Sequence, residues 1–371
     1  MTKKQRVLTA LRREVPDKVP VCPLIHARYA HKITGRSDWR AVFEVHQRLG
    51  STAFRGPQGV GFRVDWPQGY GEESSPVEEA PDGRKSMTHT IITPKGRLSA
   101  REVWGMIPHD PLVGKTVEPF VKGAEDWAIF KCHLEAWLEH ATPDLSMITQ
   151  AWETMGEEGV ATSGMGGVYH QLAAARGMEG MLTDLYDCPQ VLEGVFEVQQ
   201  EVVRRYIEAF LASPAEVLYY DICYATGSRM GPKHFEKWVG RELGLACEQV
   251  HQVPGKFIGF YTLGRIRELL PIMVDAGPDH IETFEQNEGD ITLAEAKRLY
   301  GDRICLTGNF DPIVLAYGTR EQAEEEARRC LREGMEGGGY VMTTGDEVPV
   351  DAKWDNLRAM VEVVEEEGVY A

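Results

Sequence analysis

Two adjacent carboxylates, Asp346 and Glu347, follow a short apolar run at 340–344 and precede Pro349. A carboxylate where a buried strand emerges can carry a proton, pair with a cation or cap a helix. Extended backbone turns neighbouring side chains to opposite sides, so one of the two is expected to face a pocket and the other to cap the next helix. Asp221, inside YYDICY, sits among residues that read as buried, where an ionised carboxylate needs hydrogen-bond partners. A structural network and a catalytic role serve it equally well. Similar groups end other apolar runs: His26, Arg28 and Tyr29 after 18–25, Tyr169 and His170 after 160–164, and Tyr219 and Tyr220 beside Asp221. Tyr261 and Thr262 follow 256–260, Glu282 and Glu285 lie around 279–284, and Asn309 and Asp311 follow 303–308. His170 could equally satisfy a helix start, and in GNFDP the Asn309–Asp311 pair could tie down a turn while Pro312 opens a helix. The charged run EEEARR (324–329) reads as a solvated helical face.

The elements that would position these groups repeat. Short runs near residues 20, 53, 162, 219, 258, 281, 306 and 342 are apolar almost throughout, as suits strands covered on both faces. Helical patterns follow at 38–49, 172–210 (broken near Gly177 and Pro189), 233–250, 265–276, 291–300, 319–335 and 352–367, with Thr319 as a cap. Eight strand–helix repeats predict an α/β fold, a (β/α)8 TIM barrel. A doubly wound open sheet is the alternative, but no GxGxxG turn follows the first strand. Residues 60–115 interrupt the repeat. There THTIITPKGRLSAREVW alternates on both sides of a Pro-Lys-Gly turn, predicting a β-hairpin insertion after strand two. Helices at 125–137 and 144–158 complete that unit. With no linker or low-complexity stretch, residues 1–371 read as a single domain. In such a barrel the strand ends face one mouth, so the polar groups above are expected to share a cavity.

Hydrophobic residues make up 43% and charged residues 26% of the 371, enough for a large core. The net charge, 40 − 57 = −17, argues against nucleic-acid binding, which needs clustered Lys and Arg. An anionic small substrate stays compatible with it through a local basic pocket. No run has a membrane span's length, the N-terminus lacks a signal peptide's apolar stretch, and seven dispersed cysteines lack any CxxC pair. A cytoplasmic protein with reduced thiols is expected.

Four segments together carry a family likeness: SGMGGVYHQLAAARGMEGMLTDLYDCP, YYDICYATGSRMGPKHFEKWV, LTGNFDPIVLAYGT with its G-N-x-D-P signature, and TTGDEVPVDAKWDNLRAMV. Through them the chain resembles the uroporphyrinogen decarboxylase superfamily, which holds the haem-pathway decarboxylase and cobalamin-dependent methyltransferases. The likeness spans essentially the whole chain and is strongest over 160–365. It implies a TIM barrel, a small-molecule substrate and a homodimer. The decarboxylase's R-Q-A-G-R motif is here IHARYAH: Arg28 matches the second arginine, and Ile25 or His26 stands in place of the first. Asp346 replaces the decarboxylase's histidine after the strand-eight glycine. A porphyrinogen rich in carboxylates would meet one cation fewer and one anion more. The methyltransferase branch's zinc motif, H-x-C after strand five and Cys after strand eight, reads Tyr261, Leu263 and Asp346 here, so that thiol-binding site is absent. The GDEVP turn and the TPKGRLSARE hairpin look closer to the methyltransferase-like members.

The resemblance therefore implies a methyltransferase that moves a methyl group from a small methylated donor to a corrinoid carried by a partner protein. In that reading Asp221, His170, Tyr169 and Asp346 position and protonate the leaving group. Arg28, His26, Tyr220, Tyr261, Asn309 and Glu347 bind substrate, and His170, Glu282, Asp346 and Glu347 could hold a divalent metal such as zinc. The alternative is a decarboxylase of uroporphyrinogen or a smaller carboxylate, with Arg28 binding the acid and Asp221 protonating the carbanion. A non-catalytic binding protein that kept the barrel is the third reading.

Overall fold

The computed structural model describes residues 1–54 and 59–370. Six parallel strands form one sheet in sequence order: Thr162–Gly166, Val217–Asp221, Phe257–Tyr261, His280–Thr283, Cys305–Phe310 and Tyr340–Thr344. Residues of the last four are buried throughout. This is why they read as unbroken apolar runs instead of alternating ones. Single bridges close the ring. Met342 N–H donates to Pro20 O (2.9 Å) and Cys22 N–H to Met342 O (2.8 Å). Thr52 N–H donates to Val21 O (2.9 Å), and Val160 N–H to Ala53 O (2.8 Å). The two segments near 20 and 53 thus occupy the first and second strand positions of the expected TIM barrel. The end of the 51–56 run, from residue 55, lies outside the described residues.

The chain forms two compact units: Met1–Val60, Leu145–Met165 and Phe210–Ala371 make up the barrel unit, and Gly61–Asp144 with Gly166–Ala209 the second. The N-terminal end of the barrel is plugged by the helix Lys3–Leu11, whose Thr2 and Gln5 form a capping box. Its Val7, Ala10 and Leu11 pack with Cys22, Phe54, Val160, Val217, Phe257, Cys305 and Val341, one residue from each of seven strand positions. Each large side chain so buried contributes about 1.5–3 kcal/mol. Within the barrel, Gly259 has no alternative: a Cβ there would lie 1.9 Å from the His280 ring, which fills that layer against Phe54 at 5.6 Å between ring centroids.

The second unit contains the predicted hairpin, Lys85–Thr93 paired antiparallel with Gly96–Trp104, inside a five-stranded antiparallel sheet. Gly61–Val64 pairs antiparallel with Ala141–Asp144. Helices Val168–Arg176, Met178–Asp187 and Pro189–Ala212 break where Gly177 and Pro189 predict. Asp184, buried in this unit, accepts from Trp127 Nε1 and Arg176 Nε, both at 2.8 Å, which satisfies its charge. Among the described residues no helix is long and apolar enough to cross a membrane.

Candidate active site at the strand ends

The strand Val217–Asp221 sends Tyr219 and Asp221 to one side and Tyr220 to the other, following the two-residue period of extended chain. Tyr220 is fully buried and its hydroxyl donates to Glu242 Oε2 (2.8 Å) on the helix Arg241–Val250. It faces the helical layer, which corrects its expected role in binding substrate. Asp221 Oδ1 accepts the Cys223 N–H at 2.9 Å, turning the chain out of the strand. Burial, then the Asp221 charge, pushes the Cys223 thiol well above its ordinary range.

Tyr261 is the register partner of Asp221 on the neighbouring strand, and its ring lies 5.1 Å from that of Tyr219. Its hydroxyl donates to Asp346 Oδ1 at 2.8 Å. Burial, helped by Tyr219 and Asp346, raises this phenol far above its usual range, so it remains a donor. Asp346 Oδ1 also accepts the backbone N–H of Glu347 (2.7 Å). Glu347 turns away toward strand one: Oε1 pairs with His26 Nδ1 at 2.8 Å and Oε2 with the Arg28 guanidinium. Burial alone would raise its pKa, but hydrogen bonds and attraction from His26 and Arg28 bring it down to about 2. Neither carboxylate caps a helix, contrary to expectation; Lys353 precedes the helix Trp354–Glu367. Partners arriving from strands one and five outcompete the cap.

Glu282 is 1% exposed at the end of its strand. Glu285 accepts from Gly264 N–H, and burial, assisted by the Asp346 and Glu288 charges, raises its pKa. Asn309 is spent on scaffolding: Nδ2 donates to Phe284 O (2.7 Å) and Oδ1 accepts from Arg329 Nη2 (2.9 Å). Asp311 caps the helix Pro312–Tyr317 through Ile313 N–H at 2.8 Å, as GNFDP suggested.

Glu326 and Arg329 correct the reading of 324–329 as a solvated face. Their side chains are 12% and 20% exposed, and Glu326 Oε1 accepts from Arg329, Gln286 Nε2 (2.6 Å) and Asp311 N–H (3.0 Å). The signal lay in the spacing: Ala323, Ala327, Cys330 and Leu331 form the helix's buried stripe, and 326 and 329 border it.

Tyr169 and His170 lie in the second unit, at the start of the helix Val168–Arg176. Tyr169 is 1% exposed; His170 is half-buried, its ring so close to Gly166 that a Cβ there would meet it at 2.7 Å.

Of the four expected metal ligands, Asp346 is bound to the Tyr261 hydroxyl and Glu347 to the Arg28 guanidinium and the His26 imidazole. As placed, these two suit hydrogen bonding and ion pairing instead of a metal. Asp221 and Cys223 offer a carboxylate oxygen and a sulfur within 4.8 Å of each other, half of the four-donor set that zinc takes. The strand ends of the barrel unit therefore combine carboxylates, a phenol donor and a neutralised arginine. These can orient a small molecule and exchange a proton with it.

The family model described as uroporphyrinogen decarboxylase (URO-D) matches residues 145–367. The chain is 26% identical over 205 residues to a protein from Thioalkalivibrio sulfidiphilus named uroporphyrinogen decarboxylase, covering 55% of each chain. It is 40% identical over 80 residues to one of the same name from Chlorobium phaeovibrioides, covering 21% of this chain and 22% of that one. These matches span about half the length of the curated relatives, or less. Among solved structures, a methyltransferase from Methanosarcina mazei superposes with a TM-score of 0.68 at 18% identity, covering 99% of both chains. A B12-independent methionine synthase from Shewanella sp. gives 0.51 at 10%, covering 94% of this chain and 98% of that one. At such identities the likeness establishes the fold. With the family model matched over more than half of its residues, this chain belongs to the uroporphyrinogen decarboxylase family.

Proposed function

We propose that this family member is a methyltransferase that moves a methyl group from a small methylated donor to a corrinoid held by a partner protein. The observation that carries the reading is the pairing of Arg28 with Glu347. The arginine that would grip a carboxylate-rich substrate is already neutralised by a carboxylate of the strand-eight turn.

In this reading the bond between the methyl carbon and the donor's heteroatom breaks. The electron pair stays on the heteroatom, which takes a proton from a pocket acid. Glu285, with its raised pKa, and Asp346, aligned by Tyr261, are the barrel unit's candidates, with Asp221 positioning the leaving group. Such an acid contributes ~10²–10⁴-fold. The partner's corrinoid supplies the nucleophile. The test incubates the purified chain with Co(I) cobalamin and a panel of methoxylated and methylated donors, and follows the methylcobalamin spectrum. Turnover with one donor supports the proposal.

A second reading is favoured by the names of the curated relatives: decarboxylation, with Arg28 binding the acid and Asp221 protonating the carbanion. Release of coproporphyrinogen from uroporphyrinogen, with no methyl transfer, would establish it in place of the first.

A further inference from the structure

We infer that Glu347 sets the charge class of ligand the barrel mouth accepts: by neutralising Arg28 and holding His26 it excludes polycarboxylates and leaves small molecules without carboxylates as the substrate class. The inference rests on reading the strand ends as the substrate pocket.

Both oxygens of Glu347 are committed, one to His26 Nδ1 at 2.8 Å and the other to Arg28. The three side chains are 37%, 32% and 28% exposed for His26, Arg28 and Glu347, so the cluster is partly shielded from water and weakly screened. The turn that carries Glu347 is itself anchored, because Asp346 Oδ1 takes the Glu347 N–H and the Tyr261 hydroxyl. An incoming carboxylate must therefore displace an internal one that is held in place, or lie beside it and be repelled. Specificity of this kind comes from a built-in repulsive element as much as from attraction. Nearby strand ends add Asp221, Glu282, Glu285 and Asp346, all acidic, while Tyr219 and Tyr261 bring two rings 5.1 Å apart that suit an uncharged or positively charged head.

The experiment titrates the full chain with mellitate, a benzene polycarboxylate, by calorimetry at low salt. Three proteins are compared, wild type, Glu347→Gln and Glu347→Gln/Arg28→Ala, each checked by a melting curve. The wild type is expected to bind at least tenfold more weakly than Glu347→Gln, and the double variant to lose the gain. Equal binding by wild type and Glu347→Gln overturns the inference, as does a gain that survives loss of Arg28. If Glu347→Gln does not fold, Glu347→Asp replaces it: it keeps the charge and must bind mellitate as weakly as the wild type. Tight binding by the wild type sinks the idea without any variant. Because the readout is binding, a failure of methyl transfer would remove the proposed reaction and leave this result standing. Mellitate bound equally by all proteins would remove the inference and leave the reaction untouched.

Discussion

The turns that end the two neighbouring strands Cys305–Phe310 and Tyr340–Thr344 begin from the same place, since Asn309 faces Thr343 and Phe310 faces Thr344 in register. Each presents polar residues straight after a buried run. In the first, those residues are consumed by the scaffold: Asn309 holds Phe284 O and Arg329, and Asp311 caps the next helix. In the second, Asp346 and Glu347 reach across the mouth to Tyr261, His26 and Arg28, residues of other strand ends. One turn locks its own neighbourhood, and the other gathers distant side chains at a common place. A polar residue after an apolar run is thus an ambiguous signal; the number of nearby backbone partners decides its use.

Three measurements would break or sharpen this contrast. Arg329→Leu should have the largest effect, because it leaves Glu326 and Glu333 without their cation and takes the guanidinium donor from Asn309 Oδ1. A loss of about 3–5 kcal/mol in urea unfolding is expected. A loss below about 1 kcal/mol would make the first turn as dispensable to the scaffold as the second. Asp346→Asn should do the reverse, keeping stability within about 1 kcal/mol while lowering methyl transfer by about a hundredfold in kcat. Unchanged turnover would remove Asp346 from the chemistry.

The smallest effect concerns acid. Glu347 is depressed from 4.5 to about 2, so the stability it contributes is fully present above about 4.5 and is lost as pH falls toward 2. Given partial exposure, about 1–2 kcal/mol is at stake. The melting temperatures of wild type and Glu347→Gln should therefore converge across that interval. A constant gap would show that the ion pairs with His26 and Arg28 add nothing.

Much of the scaffold was legible. Strands covered on both faces need no alternation, so short apolar runs located the six strands of the parallel sheet and the two bridged segments near 20 and 53, and Gly177 and Pro189 marked helix breaks because one leaves the helical region and the other cannot continue it. The candidate site was legible as a set of positions, but not as roles. Tyr219 and Tyr220 are equivalent in a sequence of buried residues, and only the sheet assigned one to the mouth and the other to Glu242. Likewise Glu326 and Arg329 looked solvated until the helix was laid against the strand-seven turn.

Patterning along the chain determined the order of strands and helices, because burial and chain punctuation act over a few residues. Partners were decided by closure of the barrel. Arg28 and Glu347 stand 319 residues apart and Tyr261 and Asp346 stand 85 apart, and only ring closure makes neighbours of such pairs. An ion pair between distant residues leaves no periodic trace in the sequence, whereas a buried strand does.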